Sequence, residues 1–457
     1  MDSYPSSSAL VKKYDVPTPR YTSYPTVPYW DVDSFSVGKW EAAVRNTFEA
    51  SNDDKGISLY IHLPFCESLC TYCACTTRIT KNHKVEIPYI QAILKEWDHY
   101  KKIFGKTPII REIHLGGGTP TYFSPQNLRW LITYLLEDVV VHKEFEFGFE
   151  GHPNNTTQEH LQALHDVGFT RVSFGVQDLD EKVQRTIHRI QPFESLEKAT
   201  LEARRIGYES VSFDLIYGLP FQNPSTISDT IEKVLTLKPD RIAFYSYAHV
   251  PWLKPGQRGY EDNDLPSEVL KRQLYEVGRS KLKSAGYVDI GMDHFALPQD
   301  SLYGAHIAGT LHRNFMGYTT SNTDLLIGLG ASAISDARHG YAQNEKKVEV
   351  YLQNIMSSGS AIFKGHILTD VDLLLKECIL QICCQGKLSQ GLLNQVVDPP
   401  ILVTLQEMEQ EGILELFEEG GLKVTAAGHP FIRNICSVFD KRMNKQESHQ
   451  QVFSKAI

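Results

Sequence analysis

Four of the eight cysteines fall within ten consecutive residues, as Cys66-x-x-x-Cys70-x-x-Cys73-x-Cys75. Thiolates this close on one loop can face a single soft metal centre, and compact runs of this type serve iron–sulfur or zinc sites. Zinc sites commonly pair two Cys-x-x-Cys knuckles some distance apart, and no second knuckle exists here. Buried thiols without a ligand are the plainer alternative. The remaining cysteines, Cys378, Cys383, Cys384 and Cys436, lie far along the chain, and Cys383-Cys384 sits on an apolar helical stretch that reads as core. A second candidate is Gly116-Gly117-Gly118-Thr119-Pro120, where glycines let backbone approach a ligand, although an ordinary turn uses them equally well.

The elements that must position these groups follow from apolar spacing. Short β-rich runs at Ser58–Leu63, Glu112–Leu115, Phe145–Phe149, Arg171–Val176, Val211–Tyr217 and Arg241–Tyr247 alternate with amphipathic stretches at Ile87–Phe104, Ser124–Asp138, Thr157–Val167, Ser195–Ile206 and Pro224–Leu237. Six strand runs separated by five helical stretches imply parallel strands with crossover helices, hence an α/β sheet or barrel. The cysteine loop then follows the first strand and the glycine run ends the second, where barrels of this kind place their chemistry. Residues 1–50 read as an extended arm and lead-in, 51–365 as the barrel with a less regular extension from about 251, and 366–457 as a small, mostly helical module. That module, with helices at Asp370–Cys384 and Leu392–Val397 and a hairpin over Ile413–Val424, has the element order of a winged helix. Six glutamates between Glu407 and Glu419 argue against phosphate contact.

Composition bounds the function. The chain has 457 residues, 42% hydrophobic and 22% charged, with 46 basic against 55 acidic side chains and a net charge of −9. A nucleic-acid binder that relies on a global basic field is excluded. No stretch approaches eighteen apolar residues, and Met1–Leu10 lacks both a basic and an apolar signal region, so neither membrane insertion nor secretion is expected and a cytoplasmic address is. The thiols then read as reduced.

The first three cysteines, with Tyr72 just before the third, resemble the radical S-adenosylmethionine (SAM) superfamily. That resemblance implies a partial (β/α)6 barrel, a four-iron, four-sulfur cluster on Cys66, Cys70 and Cys73, and SAM on the open iron. Electron transfer there cleaves SAM to methionine and a hydrogen-abstracting 5′-deoxyadenosyl radical. Beyond the superfamily, Pro19-Arg20-Tyr21-Thr22-Ser23-Tyr24-Pro25, Tyr60-Ile61-His62-Leu63-Pro64-Phe65-Cys66, Gly175-Val176-Gln177-Asp178, Asp214-Leu215-Ile216-Tyr217-Gly218-Leu219-Pro220, Gly291-Met292-Asp293-His294-Phe295-Ala296, Arg313-Asn314-Phe315 and Gly330-Ala331-Ser332-Ala333-Ile334-Ser335 resemble the oxygen-independent coproporphyrinogen III oxidases, from about residue 12 to the end.

The resemblance implies two SAM molecules, with contacts at Tyr60, Tyr72, Gly117, Gly118, Thr119, Glu150, Gln177, Arg189, Asp214, Ala248 and Ile334. Cys75 is left free of the cluster yet needed for activity. Phe315 and Met316 would line the porphyrinogen pocket, and Arg20, on an arm able to close over substrate, would meet propionates. The implied reaction turns the ring A and B propionates of coproporphyrinogen III into vinyl groups, with an electron donor of flavodoxin or ferredoxin type, a separate acceptor, a monomeric enzyme, and neither nucleic acid nor membrane as partner. The tail cations Arg433, Lys441, Arg442, Lys445 and Lys455 outnumber Asp440 and Glu447 but read mostly as a solvated helix face.

The sequence departs from the usual family pattern at Met316, where Gln is frequent, at His152, where Asp is, and at Cys73-Ala74-Cys75-Thr76, which replaces a Gly-Cys-Asn ending. The rival readings are a haem chaperone of the same superfamily, a radical SAM enzyme on another tetrapyrrole, and a structural or electron-transfer iron–sulfur protein. Chaperone relatives usually lack the fourth cysteine and the arm.

Overall fold

Ile57–Leu63 (β1) is buried at every position except Tyr60, as a strand covered on both sides must be. It is followed in space by Ile109–Gly117 (β2), Val140–Gly151 (β3), Arg171–Gln177 (β4), Ser210–Tyr217 (β5) and Arg241–Ser246 (β6), each parallel to the one before. The computed structural model describes residues 8–418, 420–444 and 453. Among these, the six strands curl into an open barrel whose helices Glu86–Phe104, Pro125–Leu135, Gln158–His165, Phe193–Ile206 and Pro224–Thr236 cover the outside. Side-chain caps start several of them: Ser124, Thr157 and Asn223 each accept from a backbone N–H of the first turn. The helices turn one stripe inward, such as Leu128, Leu131, Ile132 and Leu135.

The region expected to be irregular is ordered and extends the sheet. Val288–Gly291 (β7) and His294–Ala296 (β8) add antiparallel strands beside β6, while Leu326–Leu329 (β9) lies parallel to β1 on its other side. Ile334–Asp336 (β10), Gly340–Asn344 (β11) and Ile362–Ile367 (β12) then run antiparallel outward, giving one twelve-stranded sheet in the order β12-β11-β10-β9-β1-β2-β3-β4-β5-β6-β8-β7. The six added strands, of three to six residues, carry no alternation long enough to register as a pattern.

Among the described residues, the N-terminal segment from Tyr14 to Pro25 does not form a loose arm. Tyr14, Tyr21 and Tyr24 are buried in a core shared with Leu375, Ile379, Ile382, Ile435 and Phe439. Arg433 donates to the carbonyls of Pro19 and Thr18, Asn434 to that of Tyr14, Tyr341 to that of Tyr24 and Arg313 to that of Arg20. An arm held at five carbonyls is a built part of the wall, which corrects the expectation of a segment free to close.

The C-terminal elements follow the expected order: helices Asp370–Gln385, Gln390–Val396 and Pro399–Gln410, a hairpin of Leu414–Leu416 with Leu422–Val424, and helix Ile432–Val438. Cys378, Cys383, Cys384 and Cys436 are buried core thiols. The tail cations correct the reading of a solvated face: Arg433 is buried, Arg442 pairs with Asp372 and Lys441 with Asp398. Lys445, Glu447 and Lys455 lie outside the described residues.

Candidate active site

The cysteine loop leaves the C-terminal end of β1 and is pinned on both sides. Phe65–Cys66 pairs in parallel with Arg78–Ile79, and farther round the loop Thr71 donates its N–H to Ile187 and its hydroxyl to Thr186. Gln257 reaches across to the carbonyls of Tyr72 and Ala248. A loop of thiols is thus fixed over the barrel mouth by a short strand pair and by hydrogen bonds to neighbouring segments.

The three leading cysteines, all partly exposed, border one cavity of about 510 Å³. Each sulfur has a polar neighbour suited to negative charge. Thr119 Oγ1 stands 3.3 Å from Cys66 Sγ, Arg189 Nη1 donates toward Cys70 Sγ at 3.7 Å, and the Cys75 N–H donates to Cys73 Sγ at 3.4 Å. Burial pushes the Cys66 thiol up to about 11, whereas the Cys75 thiol, hydrogen-bonded to Cys73, brings Cys73 down to about 6 and is itself raised in return. Three sulfurs that border a shared cavity suit the separated corners of a cluster. The donor set therefore fits a four-iron, four-sulfur group on Cys66, Cys70 and Cys73.

The opposite wall is built from strand ends. Gly117, at φ +114°, leaves no room for a side chain, since a Cβ would lie 2.8 Å from the His62 ring, and at Gly118 it would lie 2.7 Å from the Pro64 backbone. Glu150 accepts from the Gly117 N–H at 3.3 Å and lies 3.5 Å from His114 Nε2. Burial alone would raise Glu150, but His114 holds it below the usual carboxylate range. Asp214, half-buried and desolvated beside the Glu150 charge, is pushed up to about 7. A bulge at the end of β4 puts Gln177 at φ +66°, and Gly175 makes room there for the Gln177 amide and the Arg189 guanidinium. His152, half-buried and desolvated beside Arg189, is lowered to about 3 and is therefore neutral.

Of the expected SAM contacts, Tyr72, Gly117, Gly118, Thr119, Glu150, Gln177, Arg189 and Asp214 line this cavity together with all four clustered cysteines. Three stand outside its lining. Tyr60 points into the barrel, its hydroxyl 3.0 Å from His62 Nδ1. Ala248 lies two residues past β6 rather than ending it, with its carbonyl taken by Gln257. Ile334 is placed one strand beyond β9 and packs with Phe315 against Trp30, Tyr341 and Leu368.

Below the cysteine cavity, the barrel lumen is a second space of about 150 Å³ that shares Glu150, Asp214 and Tyr245 with it. Met316 lines the lumen, but Phe315 turns away to meet Tyr341 edge-on at 5.6 Å, so the two expected pocket walls part company. Tyr245, His114 and His294 are lumen residues the sequence reading missed. The signal was there for Tyr245: Arg241, Ala243 and Tyr245 alternate along β6, and all three face inward.

An open parallel barrel with a three-cysteine loop over its C-terminal rim defines a radical SAM protein, and residues 60–234 match the Radical SAM superfamily. The chain is 36% identical over 456 residues to the oxygen-independent coproporphyrinogen III oxidase of Salmonella typhimurium, and 38% over 454 residues to that of Helicobacter pylori, with 97–98% of each chain covered. The solved structure of coproporphyrinogen III oxidase (HemN) from Escherichia coli, a radical SAM enzyme, superposes with a TM-score of 0.88 at 35% identity, over 95% of this chain and 98% of that one. The chain belongs to the oxygen-independent coproporphyrinogen III oxidase family.

Proposed function

We propose that the protein oxidatively decarboxylates the ring A and B propionates of coproporphyrinogen III to vinyl groups, giving protoporphyrinogen IX and consuming two SAM molecules. The observation that carries this reading is the single cavity in which Cys66, Cys70 and Cys73 face Gly117, Gly118, Glu150, Arg189 and Asp214, directly above a lumen that shares Glu150, Asp214 and Tyr245 with it. What a four-iron cluster supplies when bound is the electron that cleaves SAM and so provides the species that abstracts hydrogen.

The chain's own residues bind and orient. Gly117 and Gly118 present backbone close to the SAM amino group, Glu150 and Asp214 offer carboxylates to its ammonium and ribose hydroxyls, and Arg189 offers a planar fork to its carboxylate. Tyr72 and Gln177 close the cavity wall, while Tyr60, Ala248 and Ile334 serve from just beyond it. Cys75, exposed and not needed as a ligand, is placed to give or take a proton beside the reacting group. Met316 bounds the lumen where the macrocycle would enter. Loss of the propionate β-hydrogen, then of CO₂ and one electron, completes each vinyl group, the electron passing to a separate acceptor. The donor is a one-electron carrier of flavodoxin or ferredoxin type, and the enzyme acts as a monomer.

The test is anaerobic cluster reconstitution followed by incubation with SAM, a reductant and coproporphyrinogen III. Joint appearance of 5′-deoxyadenosine and protoporphyrinogen is expected. Deoxyadenosine without protoporphyrinogen would assign the chain to a different substrate.

A further inference from the structure

Between the arm and the rim of β5 and β6, positive charge gathers beneath the surface. Arg20 donates from Nη2 to the Ser246 carbonyl at 3.0 Å, and its guanidinium lies 5.4 Å above the Tyr245 ring, which borders both the cysteine cavity and the lumen. Behind it, Arg313 is 6% exposed and spends Nε and Nη2 on the Arg20 carbonyl, at 3.3 and 3.1 Å. It lies 4.7 Å over the lumen residue Tyr318, and its Nη1 is buried with no hydrogen-bond partner among the described residues. Lys271, donating to the Tyr247 carbonyl at 2.9 Å, and Arg433 belong to the same group. Two carboxylates, Asp15 and Asp293, face these four cations, and Asp293 stands 3.8 Å from Arg20, beyond hydrogen-bond reach.

An orphaned guanidinium N–H in a buried position costs free energy that an incoming acceptor recovers. A guanidinium fork is suited to a carboxylate, and the Arg20 side chain is a third exposed beside Tyr245, which borders both cavities.

We infer that Arg20, backed by Arg313, forms a carboxylate subsite that holds a propionate of the porphyrinogen other than the one being decarboxylated. The inference rests on the proposed substrate and deepens it. Arg20 sets the rotation of the macrocycle over Tyr245, so that a different ring faces the cysteine cavity.

The probe is coproporphyrin III, the oxidised macrocycle with four free propionates, compared with its tetramethyl ester in the same solvent, both followed by fluorescence on the reconstituted full chain. Arg20→Gln is expected to weaken coproporphyrin binding at least tenfold, to leave ester binding unchanged, and to leave SAM affinity unchanged; Arg20→Lys, which keeps the charge but not the fork, falls between. Arg129→Gln on the outer surface changes neither. Thermal unfolding is recorded in parallel, and if Arg20→Gln fails to fold, Arg20→Lys carries the comparison. Equal coproporphyrin affinity for wild type and the folded Arg20 variants overturns the subsite. Wild type that binds coproporphyrin yet makes no protoporphyrinogen overturns the proposed reaction instead.

Discussion

The backbone N–H of Cys75 donates to the sulfur of Cys73 at 3.4 Å and its thiol is hydrogen-bonded to the same sulfur, so the fourth cysteine of the loop supports a neighbouring ligand through both backbone and side chain. Ligand support and the chemistry of the thiol itself are separable, because a serine hydroxyl can donate where the thiol does. Cys75→Ser keeps the N–H, so iron content and cluster absorbance should match wild type while turnover falls by roughly 10²-fold or more. Loss of the cluster in this variant would make Cys75 a ligand.

Thr119 supports Cys66 through a side chain instead. Removing a hydroxyl that donates to a thiolate destabilises the more negative, reduced cluster. Thr119→Val should therefore lower the midpoint potential, by about 40 mV if the bond is worth about 1 kcal/mol. An anaerobic titration followed by electron paramagnetic resonance reads this directly, and an unchanged or raised potential would show that the Thr119 hydroxyl does not donate to the ligand sulfur.

The glycine run offers a steric test. A side chain at Gly118 would strike the Pro64 backbone, which leads into the cysteine loop and cannot yield as a side chain can. Gly118→Ala should weaken SAM binding by roughly 10²-fold through displacement of the loop, with thermal stability little changed because the lesion is at the rim. Binding titration and a melting curve together check both halves.

Asp214 sets a pH dependence. Its folded pKa of about 7 is raised chiefly by burial, next by the Glu150 charge. A raised carboxyl binds a proton that the unfolded chain has lost, so its contribution to folding is largest at low pH and declines between about pH 4 and 7. SAM affinity runs the other way, because a cationic ligand favours the ionised form: affinity should rise by about tenfold from pH 6 to pH 8 and flatten above. Asp214→Asn should bind more weakly with no such slope.

How much of this was legible follows from chain distance. The six barrel strands and five outer helices came from local periodicity and agree with the structure within a few residues, because each buries a continuous stripe or face. The cysteine loop was legible because its ligands are neighbours in sequence. The contacts that join Arg313 to Arg20, or Tyr245 to His294, span 293 and 49 residues and leave no local pattern. Ile334 shows the same limit: its strand is three residues long, and its neighbour Trp30 comes from the arm.

The central claim is hydrogen abstraction from a propionate β-carbon at the three-cysteine cavity. Its most direct test is anaerobic turnover of coproporphyrinogen III deuterated at the propionate β-carbons, with mass analysis of the 5′-deoxyadenosine formed. The account predicts deuterium in the deoxyadenosine methyl group, in step with vinyl formation. Protium-only deoxyadenosine alongside a vinyl product would contradict it.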